Sequence, residues 1–140
     1  MVGILVVSHG RLAEAFVTTI QFLVGGLQKI GGVSIWPRDK PKEVQEKIQQ
    51  KMAEINDGDG VVILTDILGG TCTNLSLSFL KDEKVEVVTG VNVPMLLTLS
   101  SYRKGRSSAE IGKLLKRSGR RSITLVKEMV GSRGRKSRFR

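Results

Sequence analysis

His9 and Cys72 carry the only imidazole and the only thiol in 140 residues, so any histidine chemistry in this chain falls on one side chain. His9 follows residues 2–7, a continuously apolar run rich in branched side chains, with only Ser8 between, and precedes a helix-like stretch. Such a run suits a strand buried on both faces of a parallel sheet, with His9 at its carboxyl end. In open α/β sheets that end faces the ligand crevice, where helix N-termini offer unpaired N–H groups and a positive dipole. A second strand end carries Asp66-Ile67-Leu68-Gly69-Gly70-Thr71. With the two strands as neighbours, Asp66 can accept a hydrogen bond from one ring nitrogen of His9. That bond fixes the tautomer and leaves the other nitrogen's lone pair as an oriented nucleophile. Gly69 and Gly70 let backbone approach a phosphoryl group, while Thr71 and the following helix start supply donors. Together these residues describe a phosphohistidine site.

Each piece alone has a plainer reading. A lone histidine is more often structural or simply exposed, an aspartate after a strand is often a helix N-cap, and two loop glycines often serve only the turn. Their joint placement gives the site its weight. Neither G-x-G-x-x-G nor G-x-x-x-x-G-K-[ST] occurs, so dinucleotide binding and nucleoside-triphosphate hydrolysis have no local support. One His and one Cys offer little for metal catalysis, and no metal is expected.

Strand-like and helix-like segments alternate along the chain, the pattern of βαβ units around a parallel sheet. Residues 2–7, 33–36, 61–64 and 85–88 read as strands. Leu12, Phe16, Ile20, Leu23 and Leu27 mark the apolar face of a first helix that Gly25, Gly26 and Gly31 help to end. Val44, Ile48, Met52 and Ile55 mark a second, opened by Pro41 with Asp39 as its cap. A third runs through Leu75, Phe79 and Leu80, and two more cover residues 95–99 and 111–115. A last short apolar segment, 123–126, reads as a strand. The reading is a single α/β domain over residues 1–130, a mainly parallel four-stranded sheet flanked by helices, followed by a basic tail, 131–140, expected to lack structure.

The net charge of +10 resembles a nucleic-acid signal until it is located. From Ser101 onward there are 14 Lys/Arg against 2 Asp/Glu, leaving 9 against 11 before it, so the basicity is an appendage to a near-neutral body. Only 4% of residues are aromatic, which leaves little for stacking on bases. A single cysteine makes no internal disulfide, and neither a membrane span nor a leader is recognisable, so a cytoplasmic location is expected.

Three motifs resemble a known family: Val-Ser-His-Gly-Arg-Leu-Ala (7–13), Thr-Asp-Ile-Leu-Gly-Gly-Thr (65–71) with Asn74, and Gly-Val-Asn-Val-Pro-Met-Leu-Leu (90–97). They are similar, in kind and order, to the mannose-class enzyme IIA of the bacterial phosphoenolpyruvate-dependent sugar phosphotransferase system. The resemblance implies that His9 accepts a phosphoryl group from the phosphocarrier protein HPr and passes it to a IIB component, which phosphorylates a sugar during uptake. It makes His9 and Asp66 the catalytic pair, with Ser8, Gly10, Gly69, Gly70, Thr71 and Thr73 around the phosphate. No cofactor is required, because the donor is already a phosphohistidine. It further implies a homodimer in which a final antiparallel strand, here 123–126, is exchanged, and an association with membrane IIC and IID components.

Three departures accompany the resemblance. Cys72 stands where the family usually has proline, followed by Thr73, whose hydroxyl is expected to donate to phosphate; Cys72 itself reads as a passive small residue. Thr98 stands where an acidic residue is frequent, and the chain ends in the basic tail rather than continuing into IIB. Transport is the leading reading. A module whose phosphorylation state is sensed by a regulator is the second, and a nucleic-acid-binding role for the tail ranks last.

Overall fold

Four runs pair into one parallel sheet, the two inner strands buried on both faces and the two outer ones only in part. They are β1 (Gly3–His9), β2 (Ile30–Ile35), β3 (Val61–Thr65) and β4 (Val85–Thr89), in the order β2-β1-β3-β4. The structure, a computed structural model, describes residues 1–67 and 69–131. The tail expected at 131–140 therefore lies, apart from Gly131, outside the described residues, as does Leu68. The helices are α1 (Leu12–Val24), α2 (Pro41–Ile55), α3 (Thr71–Leu77), α4 (Val93–Tyr102), α5 (Ser108–Arg121) and α6 (Val126–Val130); a 3₁₀ turn, Ser78–Lys81, continues α3.

The alternation of side chains along β1 divides the core. Ile4 and Val6 pack with Ala13 and Ile20 of α1, Met95, Leu96 and Leu99 of α4, and Ile111 and Leu115 of α5. Leu5 and Val7 point the other way, against Val44 and Ile48 of α2 and Cys72 of α3. This layering follows from right-handed crossovers: the chain leaves β1 through α1 to β2, then passes through α2 on the opposite face to reach β3. The strand order reverses at β1, so a crevice opens between the carboxyl ends of β1 and β3. His9 closes β1 there, and Asp66 directly follows β3.

Several sequence expectations differ from the structure at element ends. The second strand, expected at 33–36, runs Ile30–Ile35 and includes Gly31. Leu27 lies beyond α1, which stops at Val24; Gly25 and Gly26 both adopt positive φ there, of 66° and 60°, and turn the chain out of the helix. The N-cap of α2 is Lys40 rather than Asp39, because the Asp39 carboxylate accepts the Trp36 N–H at 2.9 Å. Residues 123–126 form no strand within the chain: 123–125 lie outside helix and sheet, and Val126 opens α6. A lone segment has no ladder to join unless another edge is presented to it. Ile123 and Leu125 are 80% and 65% exposed.

Candidate functional site

The crevice holds one tightly organised carboxylate. Asp66 Oδ2 accepts the backbone N–H of His9 at 2.9 Å and lies 2.9 Å from His9 Nδ1, while Oδ1 accepts the Ile67 N–H at 2.9 Å. Burial raises the Asp66 pKa, but the His9 backbone N–H, the His9 ring and the Ile67 N–H together outweigh it and hold the carboxyl below its ordinary value. An ionised carboxylate only accepts, so Nδ1 must be the donor, and in the neutral ring Nε2 keeps the lone pair. The side chain of His9 is 45% exposed against 12% for Asp66, so the ring meets solvent while its orienting partner is largely covered.

The loop after β3 completes the surroundings. Gly69 adopts φ +81°, where only glycine is unstrained. A Cβ on Gly70 would come within 3.2 Å of His9 Cε1 and 3.1 Å of Ile67 Cγ1, so glycine is what lets the loop lie against the ring. Thr71 begins α3 and is exposed, and the first closed turn runs from Asn74 N–H to the Gly70 carbonyl. The N–H groups of Thr71, Cys72 and Thr73 therefore have no acceptor within the helix. Gly10, at φ +59°, turns the chain out of β1 toward α1.

Two residues expected around a phosphate are placed elsewhere. Ser8 is fully buried and lies on the opposite face of β1 from His9, since neighbours on a strand point apart. Thr73 is also buried: its hydroxyl donates to the Ile67 carbonyl at 2.5 Å and accepts from the Thr65 hydroxyl at 2.9 Å. It braces the loop and has no proton left for an anion. The strand alternation carries the signal for Ser8; nothing in the sequence marks the Thr65–Thr73 contact.

Cys72 is the residue whose position the sequence did not reveal. Its Sγ lies 3.6 Å from His9 Nδ1, in a fully buried position. Burial, and then the charge of Asp66, push its thiol up to about 12. It is a protonated thiol at neutral pH.

A sequence model of the EIIA-man family, described as the PTS system fructose IIA component, matches residues 3–117. The chain belongs to the mannose-class IIA family of the sugar phosphotransferase system. It is 30% identical over 128 residues to the PTS system mannose-specific EIIAB component of Escherichia coli K12, a match that covers 90% of this chain and 40% of that protein. The chain thus spans less than half the length of that relative. Against the PTS system fructose-specific EIIA component of Bacillus subtilis it is 26% identical, with 91% and 88% of the two chains covered. The crystal structure of a PTS IIA protein associated with the fucose utilization operon of Streptococcus pneumoniae superposes with a TM-score of 0.79 at 32% identity, over 91% of this chain and 95% of that one. Family membership agrees with the fold and with the motif resemblance at residues 7–13, 65–71 and 90–97. No helix among the described residues of this IIA domain is long and apolar enough to cross a membrane.

Proposed function

We propose that this IIA domain is a cytoplasmic phosphoryl carrier that accepts phosphate on His9 Nε2 from phospho-HPr and passes it to a IIB component. One observation carries the reading: Nδ1 is tied to an ionised carboxylate, itself held by two backbone N–H groups, so Nε2 presents its lone pair in a fixed direction. His9 is the catalytic residue, and Asp66 positions it. As Nε2 attacks phosphorus, the bond to the HPr histidine breaks and the electron pair returns to that ring. Positive charge builds on His9, where Asp66 stabilises it through Nδ1–H. The N–H groups opening α3, with the backbone of Gly69 and Gly70, are the donors available to the transferring phosphoryl oxygens. Delivery of phosphate onward to sugar, with membrane IIC and IID components, completes the transport reading.

Intact-mass measurement after incubation with phosphoenolpyruvate, enzyme I and HPr tests it. The wild type should gain one acid-labile phosphoryl group and His9→Ala none. No gain in the wild type with active HPr overturns the carrier reading. Acceptance without transfer to any IIB turns it toward the regulatory alternative. In the same assay, Gly70→Ala should slow acceptance about tenfold by displacing the ring, with a change in stability of only about 1 kcal/mol.

The homodimer implied by the family resemblance is part of the proposal. β4 is a sheet edge paired only with β3 among the described residues, and Ile123 and Leu125 are exposed apolar side chains beyond α5. A second copy can supply the ladder that 123–126 lacks. Light scattering should find a dimer for the wild type and a monomer for the double variant Ile123→Lys, Leu125→Lys. A monomeric wild type refutes the exchange.

A further inference from the structure

Phosphoryl acceptance gives no role to the thiol that α3 brings to the His9 ring. Cys72 Sγ lies 3.6 Å from Nδ1, Asp66 Oδ2 lies 2.9 Å from the same nitrogen, and the three ligand atoms all fall within 4.8 Å of one another. In a tetrahedral zinc site, bonds of about 2.0 Å to nitrogen or oxygen and about 2.3 Å to sulfur place N and S roughly 3.5 Å apart, and N and O roughly 3.3 Å apart. The N–S pair already has this separation. The N–O pair, at 2.9 Å, must open by only about 0.4 Å. Imidazole, carboxylate and thiolate together suit a borderline-soft cation rather than magnesium or calcium. The outer shell is also in place, since the His9 and Ile67 backbone N–H groups hold the carboxylate. Cys72 is fully buried whereas the His9 side chain is nearly half exposed, so a cation enters from the ring side.

We propose that His9 Nδ1, an Asp66 carboxylate oxygen and Cys72 Sγ form a binding site for a thiophilic divalent cation of the zinc class, with a fourth position open to water. Binding forms metal–nitrogen, metal–oxygen and metal–sulfur bonds. The thiol proton leaves to solvent, and the single ring proton of neutral His9 moves through solvent from Nδ1 to Nε2. Nε2 then has no lone pair to offer, so the cation holds the site in a non-accepting state. That consequence rests on the carrier reading; the binding itself does not.

The test titrates the full chain, reduced and stripped of metal, with Co²⁺ and no phosphoryl donor. Expected are ligand-field bands in the visible and a thiolate-to-cobalt band in the near ultraviolet, saturating at one equivalent and removed by Zn²⁺. The thiolate band should vanish in Cys72→Ser, and His9→Gln, a change at a half-exposed position, should abolish saturable binding. Asp66→Asn should weaken binding by at least about tenfold. No thiolate band up to millimolar Co²⁺, or one that persists unchanged in His9→Gln, overturns the proposal. Phosphate acceptance from purified phospho-HPr is scored separately: a cobalt signature without acceptance refutes the carrier reading and keeps the site, and acceptance without the signature does the reverse. Where both hold, Zn²⁺ should block acceptance in the wild type but not in Cys72→Ser, with a chelator restoring it.

Discussion

Asp66→Asn is expected to slow phosphoryl acceptance by His9 by on the order of 10²- to 10⁴-fold, with the fold retained. The carboxylate receives three N–H bonds, two on Oδ2 from His9 and one on Oδ1 from Ile67. An asparagine amide has one oxygen and one NH₂. With the NH₂ toward His9, it opposes the backbone N–H and draws the Nδ1 lone pair, which sends the ring proton to Nε2 and removes the nucleophile. With the oxygen toward His9, the tautomer survives, but the NH₂ faces the Ile67 N–H and the loop that cradles the phosphoryl group must shift. Nitrogen NMR of the imidazole separates the two cases, because Nδ1–H and Nε2–H tautomers give distinct shifts. An unchanged rate with an unchanged tautomer would remove Asp66 from the mechanism.

The same substitution has a pH signature. Folding leaves the Asp66 carboxyl more acidic than its ordinary value of 3.8. The unfolded chain thus binds the proton more readily. The stability this group contributes is full above the ordinary value and is lost as pH falls through the lower folded value. The urea stability difference between wild type and Asp66→Asn should therefore be largest near neutral pH and shrink in acid. A difference that grows in acid would contradict the assigned shift.

The sheet was legible because burial on both faces leaves a continuous apolar run, as in residues 2–7 and 61–64, and no helix face looks like that. The site was legible to the extent that it sits at strand ends, where His9 and Asp66 are fixed by the chain's direction. Side-chain convergence was harder to read. Cys72 meets His9 because odd-numbered positions of β1 face α3 and because that helix begins at Thr71, within a segment whose polar, glycine-containing sequence reads as loop. The segment 123–126 has the composition of a strand but no partner within its own chain, and an edge pairing cannot be inferred from the strand's composition alone.

Arg103→Ala is expected to destabilise the domain by about 3–4 kcal/mol, lowering its melting temperature by about 10 °C. In the sequence Arg103 belongs to the basic part that begins at Ser101, yet it is almost fully buried. Its Nε–H donates to the Val2 carbonyl at 2.8 Å, one terminal nitrogen to the Gln28 carbonyl, and the other to the Lys29 carbonyl at 2.6 Å. Burial pulls its pKa down only to about 10, so the guanidinium stays charged at neutral pH. Standing at the C-cap of α4, it clamps the starts of β1 and β2 together. It also holds Lys29 at φ +54°, a left-handed conformation that a lysine does not adopt unaided. Alanine removes the three donors and the packing of the long stem, and leaves the Val2 and Gln28 carbonyls without the donors that satisfied them. Arg103→Lys should recover only part of the loss, because a compact ammonium on a single stem cannot reach three carbonyls arranged for a planar fork. Chemical denaturation of both variants decides the matter: a loss under about 1 kcal/mol for alanine, or full rescue by lysine, would mean that the clamp is not what joins these strand starts.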